Sequence, residues 1–285
     1  MTPKPNPFSI YDFLGYFTPG ATALYIFNFY VFPTDSVLKP ALSTIAKAVS
    51  LEKPASLIPF VLLAYLLGHL LSFLSSVTVE RYYLWVFGYP SKELLRRVLL
   101  QGPPEYFSSG ESPRQHLVVA SVVAAFLIPI SALDWLLRVP LCLGPVFEKK
   151  LDKLLATLIH QKMSTLLVKV GAITDPNELG KPVEHDFFRF VYHFAVEHAP
   201  NHLPKMQNYV ALYGLLRTMC FLGIVVFWWT ALSAGDWSNG LLHLAMVLLA
   251  ISLVSYIFFL SFMKFYRRFT LEAFMAMAVS FKHEA

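Results

Sequence analysis

Three side chains that can carry charge lie within or at the end of two apolar runs of this chain. His69 and Glu80 belong to the stretch AYLLGHLLSFLSSVTVER, residues 64–81, and Arg217 lies within NYVALYGLLRTMCFLGIVVFWW. Ionisable groups at membrane depth are costly, and they commonly mark ion paths, proton relays or ligand sites. The three residues are therefore candidates for a cofactor site, an ion path or a polar contact between packed helices.

Small side chains recur at every fourth position of the first stretch: Ala64, Gly68, Ser72 and Ser76. Small residues at this spacing let two membrane helices approach closely, so the pattern predicts a packing seam. Glu80 follows four residues later, where the helix leaves the lipid, and a basic residue of a neighbouring helix is a suitable partner for it.

His69 lies beside this seam, and two roles are open for it. A haem held by His69 and His243 needs both histidines at matching depth. The sequence places His69 near mid-membrane and His243 near an outer edge. We therefore favour a packing histidine, with a haem- or metal-binding membrane enzyme as the alternative.

Arg217 is followed by a long apolar run that places it near the cytoplasmic edge of a span, where its side chain can snorkel. We expect an interfacial anchor, or a partner for Asp12 or Glu80, rather than a gating charge. A single arginine is a poor voltage sensor.

A histidine-rich stretch, HDFFRFVYHFAVEHAPNH, carries His185, Arg189, His193 and Glu197 on one helix face. The spacing matches no zinc signature, and Arg189 opposes a cation on that face. The pattern favours a polar subunit contact or an anion-facing surface, with metal binding as the alternative. The sequence has no Walker A loop, GxSxG elbow or HExxH motif, so we expect no enzymatic activity and no cofactor.

Basic residues form the last group of candidates. Those proposed to bind an anionic ligand are Lys149, Lys150, Lys153, Arg189, Lys264, Arg267 and Arg268. Positive-inside topology and contact with anionic lipid account for many of them. If several copies surround an axis, each position becomes a ring that can hold a polyanion such as a nucleotide or an oligonucleotide.

Membrane helices must position these residues. Hydrophobic residues make up 56% of the 285 residues and charged residues 14%, against about a quarter in an ordinary soluble domain. The chain is therefore predicted to be an all-α, polytopic helical membrane protein with four or five transmembrane helices plus short cytoplasmic helices. The N-terminus lacks a signal-peptide pattern, so the first apolar run is expected to remain as a span.

The apolar segments divide the chain into three regions. The first is an N-terminal membrane region, 1–147, with spans at about 11–33 and 57–87 and a kinked or re-entrant segment at 116–147. It is followed by a cytoplasmic amphipathic helical region, 148–205, and by a C-terminal membrane hairpin with an extended cytoplasmic helix, 206–285. The distribution of Lys and Arg favours four full spans and a cytoplasmic C-terminus.

Polar residues and prolines within these regions lead to further expectations. The third segment contains Pro129, Pro140 and Pro145, which favour a kinked or re-entrant course. Its Asp134 and Arg138 are four residues apart and can pair. The cytoplasmic region begins with an amphipathic helix whose apolar stripe is Leu151, Leu154, Leu155, Leu158, Ile159, Met163, Leu166 and Val170.

The last segment contains no Pro or Gly from residue 241 onward. We expect it to continue as one helix well beyond the lipid. Its main mid-depth polar groups, Ser252, Ser255 and Tyr256, are candidates for lining a pore.

Two stretches near the N-terminus carry a resemblance to a known family. YDFLGYFTPG, residues 11–20, opens the first predicted span, and GHLLSFLSSVTVERYYLWVFGYPSKEL, residues 68–94, ends the second. Together they resemble membrane effectors of bacterial anti-phage defence systems, and most closely that of the Hailong system, which is partnered with a nucleotidyltransferase.

The resemblance implies a homo-oligomeric ion channel in the bacterial inner membrane. An oligonucleotide made by the partner nucleotidyltransferase would hold it shut, and release of that ligand would open the pore and depolarise the cell, as in abortive infection. A small transporter or membrane scaffold is a further alternative.

Overall fold

The computed structural model of the chain describes residues 12–27, 54–99, 121–138, 151–174, 187–233 and 240–281. Within these ranges the chain forms helices and no strand, which confirms the all-α prediction. The helices are α1 (Thr18–Ile26), α2 (Pro54–Ser75), α3 (Arg81–Phe87), α4 (Pro90–Leu99), α5 (Ile128–Arg138), α6 (Lys153–Lys169), α7 (Phe187–His198), α8 (Leu203–Ser233) and α9 (Leu241–Ser280). π-helical segments at Phe13–Phe17 and Ser76–Glu80 adjoin α1 and α2, and a 3-10 turn at Pro200–His202 precedes α8.

Three helical stretches of the described chain are long and apolar enough to cross a membrane: Ile58–Leu95, Pro200–Ser233 and Leu241–Ser280. They match the second, fourth and fifth predicted segments. The apolar helix Ile128–Leu137 is shorter, and residues 12–27 are the described part of the first predicted span. Composition and helix length thus indicate a helical membrane protein, and the number of four or five spans stays a prediction.

The chain separates into two compact units. Unit 1 comprises Met1–Glu80, Ala124–Trp135 and Ala211–Phe262, and unit 2 comprises Arg81–Val123, Leu136–Val210 and Met263–Ala285. The predicted cytoplasmic region 148–205 falls within unit 2.

In unit 1, α1 and the adjoining π-helical segment pack closely against α2. A Cβ atom added to Gly20 would lie 1.8 Å from the Ala64 carbonyl oxygen, and one added to Gly68 would lie 1.9 Å from the Tyr16 carbonyl oxygen. Real atoms cannot approach so closely, so hydrogen is the one side chain that fits at both positions. The first half of the predicted seam, Ala64 and Gly68, is thereby confirmed as a helix contact.

The helix of the third segment is interrupted at Leu127, close to Pro129, one of the three prolines that favour a kink in this segment. Residues 121–126 are helical, Leu127 forms a turn, and α5 follows. Pro129 has no N–H to donate, and the next amide donates to the Leu127 carbonyl, so the Phe126 carbonyl loses its helical partner. The Trp228 indole N–H of α8 donates to that oxygen at 2.7 Å, which satisfies it in apolar surroundings.

Unit 2 has a core built from α4, α6, α7 and the end of α9. Its buried members include Leu95, Ile159, Met163, Val191, Phe274 and Met277. The Asp152 carboxylate caps α6 by accepting hydrogen bonds from the amides of Leu154 and Leu155, and Gly171, at φ 74°, ends the helix.

The predicted apolar stripe of α6 is partly wrong. Ile159, Met163 and Leu166 are buried as expected, but Leu154 is 77% and Val170 54% exposed. Ala156 and Leu167 are buried in addition to the expected three. The buried face is set by α4 and by the other helices of this core, which cover a different sector of α6 than the leucine spacing indicates.

The longest helix, α9, confirms the expectation of one uninterrupted helix after residue 241. It has 40 residues, and at the α-helical rise it is about 60 Å long. A hydrocarbon core is about 30 Å thick, so the helix is about twice as long as a membrane span requires.

Candidate functional site

Arg217 is the centre of a polar cluster inside unit 1. It lies in the apolar helix α8 and is only 9% exposed. Its Nε donates to Ser75 Oγ at 3.1 Å, and its Nη2 donates to both the carbonyl oxygen and the Oγ of Ser72 at 3.2 Å. Its Nη1 donates to Glu80 Oε2, with which it forms an ion pair. The guanidinium is thus bonded on all three nitrogens.

Glu80 reaches Arg217 because the helix changes its winding. Ser76–Glu80 form a π-helical segment directly after α2. A π-turn contains more residues than an α-turn, so it brings Glu80 toward the face that carries Ser72 and Ser75. Of the two partners expected for Arg217, the structure shows Glu80. Asp12 makes interactions of its own.

Two residues of this cluster were missed by the sequence analysis. Ser75 and Thr218 are fully buried, and their hydroxyl oxygens are 3.4 Å apart. Ser75 accepts from Arg217, whereas the four-residue spacing had selected Ser76. The position of Thr218, next to Arg217 in sequence, is the one signal that pointed to it.

Ser76 has a local role in the structure. Its hydroxyl donates to the Phe73 carbonyl of its own helix at 2.7 Å. Ser72 therefore belongs to the Arg217 cluster, and Ser76 is satisfied within one turn. The small-residue pattern thus serves three contacts: α1 at Ala64 and Gly68, Arg217 at Ser72, and a local bond at Ser76.

His69 is held between aromatic rings. Its imidazole stacks on Tyr16 with a centroid distance of 3.8 Å and an interplanar angle of 18°. Tyr65 meets the same ring edge-on at 4.5 Å. The side chain is nevertheless exposed on the surface of the chain. The favoured packing role explains the contacts of the imidazole with the two tyrosine rings.

The candidate pore-lining residues of α9 are buried inside unit 1. Ser252 and Ser255 donate to the Leu248 and Ile251 carbonyls of their own helix at 2.8 Å. Ser255 also faces Gly223 of α8, where an added Cβ atom would lie 2.2 Å from its Oγ. These positions fit the contact between α8 and α9, and a pore-lining role stays a prediction.

Tyr256 connects α9 to the third segment. Its hydroxyl donates to Asp134 Oδ1 at 3.2 Å, and both side chains are buried. The side chain of Arg138, the partner expected for Asp134, lies outside the described residues. Asp134 and Tyr256 form a second polar contact inside the apolar part of unit 1.

The described members of the predicted anion-binding set all belong to unit 2. Lys149 and Lys150 lie outside the described residues. Lys153 and Arg189 are exposed on α6 and α7. Lys264, Arg267 and Arg268 lie on α9. The Lys264 Nζ and the Arg268 Cζ both lie over the Phe265 ring, at 5.9 and 5.7 Å from its centroid. Two exposed cations therefore converge on one aromatic ring shortly after the most apolar part of α9.

The histidine-rich stretch separates into different contacts. His185 lies outside the described residues, and His193 and Glu197 are exposed. His202 instead pairs with Glu272 of α9 at 2.9 Å, and Lys205 pairs with the same carboxylate at 2.7 Å. Over the described ranges, no group of three His, Cys, Asp or Glu side chains is arranged to hold a metal ion.

A further histidine of unit 2 lies on α6. Burial lowers the pKa of His160. Burial thus favours the neutral imidazole of His160.

Comparisons of the chain with protein-family models, with curated proteins and with solved structures find no match. The clearest feature of the candidate site is a fully bonded arginine–glutamate pair that joins two apolar helices of unit 1.

Proposed function

We propose that the chain is an oligomeric ion channel or pore-type membrane effector of bacterial anti-phage defence. It acts in the inner membrane with its C-terminus in the cytoplasm and with four full spans. An anionic nucleotide or oligonucleotide, made by a partner nucleotidyltransferase, binds unit 2 and holds the pore shut.

The buried Arg217–Glu80 pair carries this proposal. Charged side chains within membrane helices are expensive, and they are typically retained where ions or a gating movement need them. This pair and its hydroxyl contacts join α2 and the π-helical segment after it to α8. They place two charged groups between apolar helices of unit 1.

The basic residues of unit 2 support regulation by an anion. Lys264 and Arg268 are exposed and close to the same ring. Phosphates recruit Lys and Arg, and every symmetry-related copy adds a further pair of cations. An oligomer therefore presents a ring of charge suited to a polyanion.

Flux from potassium-loaded vesicles tests the proposal. We expect the purified protein to release potassium, and a short single-stranded oligonucleotide to suppress the release. The variant with Lys264→Gln and Arg268→Gln should still conduct but lose most of the suppression, and the salt slope of oligonucleotide binding should fall by about 0.7 for each lost phosphate contact.

Arg81→Gln is the matched control, because Arg81 is an exposed cation over the Trp85 ring that is not assigned to the ligand. Its suppression should equal that of the wild type. Vesicles that release no potassium with or without the oligonucleotide contradict the channel. Equal suppression in the double variant contradicts the ligand site.

A further inference from the structure

The imidazole of His69 places two polar nitrogens in the middle of the apolar helix α2. Tyr16 and Tyr65 contact the imidazole through its ring face and edge. Among the described residues, the imidazole makes no hydrogen bond. Its side chain is exposed on α2, which is apolar on both sides of it. Hydrocarbon offers no hydrogen-bond partner, so a donor and an acceptor facing lipid there are unfavourable.

His69 belongs to an exposed stripe along α2. Leu62, Leu66 and Phe73 are 59%, 66% and 62% exposed. With His69 they are spaced by four, three and four residues, the spacing by which helices pack side by side. We call these four residues the α2 stripe. A single polar residue within such a stripe fixes which positions of the paired helices meet.

The outer face of α9 shows what a lipid-facing stripe looks like in this chain. Its exposed side chains are Leu242, Met246, Leu249, Leu253 and Ile257, all of them apolar. His243 is exposed as well, but it is the third residue of α9, where water at the membrane surface can bond to it. The α2 stripe differs because its polar residue lies in the middle of the apolar helix.

We propose that the α2 stripe is the contact between copies of this chain, with the stripes of neighbouring copies facing each other around a symmetry axis. Copies in one membrane share an orientation, so a symmetry axis along the membrane normal places each His69 at the same depth as the next. A neutral imidazole has one N–H donor and one nitrogen acceptor. Each His69 therefore donates to the imidazole of a neighbouring copy, which stabilises helix association in lipid.

The inference rests on the homo-oligomer of the proposed function, but it does not depend on conduction. Tyr16 and Tyr65 pack on the imidazole and restrict its rotation.

Disulfide cross-linking in native membranes tests the contact. The parent variant carries Cys142→Ser and retains Cys220, which is buried. Leu66→Cys added to it should form a covalent dimer on oxidation with copper phenanthroline. Leu249→Cys, at a position that is also exposed but on α9, should remain monomeric, as should the parent. A dimer from Leu249→Cys but none from Leu66→Cys overturns the inference.

His69 substitutions test the role of the imidazole. His69→Phe keeps a ring to stack on Tyr16 but removes the hydrogen bond. It should weaken the association of copies in vesicles about 3- to 30-fold. Energy transfer between labelled copies measures this association. His69→Asn restores a donor and an acceptor and should recover most of the association. If His69→Phe associates as strongly as the wild type, the hydrogen bond between copies is contradicted. A helical circular-dichroism spectrum of each variant shows that the variant is folded.

Other occupants of the stripe give distinct results. Leu66→Cys labelled by a membrane-impermeant methanethiosulfonate indicates a water-filled path and overturns the contact. If Leu66→Cys is labelled only by a lipid-soluble maleimide and forms no dimer, the α2 stripe faces lipid, and this result also overturns the contact. Failure of the potassium flux leaves these cross-linking results unaffected, so the two proposals can fail separately.

Discussion

At the scale of single residues, Arg217 shows how a charge is tolerated inside apolar helices. The guanidinium has bonds from all three nitrogens, to Glu80 and to two serines. Such a pair adds little net stability over an apolar replacement, because desolvation offsets the attraction. Breaking it by removing one partner is strongly unfavourable, because the other charge remains buried.

A double-mutant cycle measures this asymmetry. We expect Arg217→Gln or Glu80→Gln alone to destabilise the protein by about 3–5 kcal/mol, and the double variant by clearly less than the sum. Thermal unfolding in detergent, followed by loss of helical signal, provides the measurement.

Arg81→Gln is the control for the cycle, because it removes the same charge from an exposed position. Its unfolding temperature should remain near that of the wild type. Single variants that unfold no earlier than Arg81→Gln, or effects that simply add, contradict a coupled buried pair.

At the scale of elements, close approach of the α1 segment and α2 depends on two glycines. Gly20 meets the Ala64 backbone, and Gly68 meets the Tyr16 backbone. Neither neighbour is the end of a flexible side chain that can move aside. The contact is therefore sensitive to a single methyl group on either helix.

Gly68→Ala tests this contact. The added Cβ atom would lie 1.9 Å from the Tyr16 carbonyl oxygen, so the helices must separate, and we expect a loss of about 1–3 kcal/mol or more. Thermal unfolding of the purified variant measures it.

Gly214→Ala is a matched control within α8. An added Cβ atom there has no neighbour within 4 Å, and the gain in helix propensity should stabilise the protein by about 0.5–1 kcal/mol. If both variants are destabilised alike, general sensitivity to helix glycines, rather than the α1–α2 approach, is the cause.

At the scale of the whole molecule, the number and direction of the spans are predicted from the apolar runs and from the placement of Lys and Arg. Three described stretches are long and apolar enough to cross a membrane. In the proposed four-span arrangement, segment 116–147 dips into the membrane and returns, and both termini are cytoplasmic. The alternative with five spans places residues near 109 outside.

Labelling of single cysteines decides between these arrangements. We expect an impermeant maleimide added to intact cells to label Gly240→Cys but neither Ser109→Cys nor Ser280→Cys, because positive charges are retained inside. All three positions should react after the membrane is opened. Labelling of Ser109→Cys in intact cells shows the five-span arrangement, and labelling of Ser280→Cys contradicts a cytoplasmic C-terminus.

The sequence by itself determined the helical membrane class, a proline interruption in the third segment, the uninterrupted α9 and the candidacy of Glu80 as partner of Arg217. Each of these follows from local chemistry: apolar run length, a missing amide hydrogen, the absence of Pro and Gly, and the need of a buried charge for a counter-charge.

Only the tertiary structure decided which serines join Arg217 and which face of α6 is buried. Residue spacing assumes a regular α-helix, whereas Ser76–Glu80 is π-helical, which changes which side chains share a face. The buried side of α6 depends on α4 and the other helices of the unit 2 core, which are distant in sequence. Contacts between distant segments select one arrangement among several that local spacing permits equally.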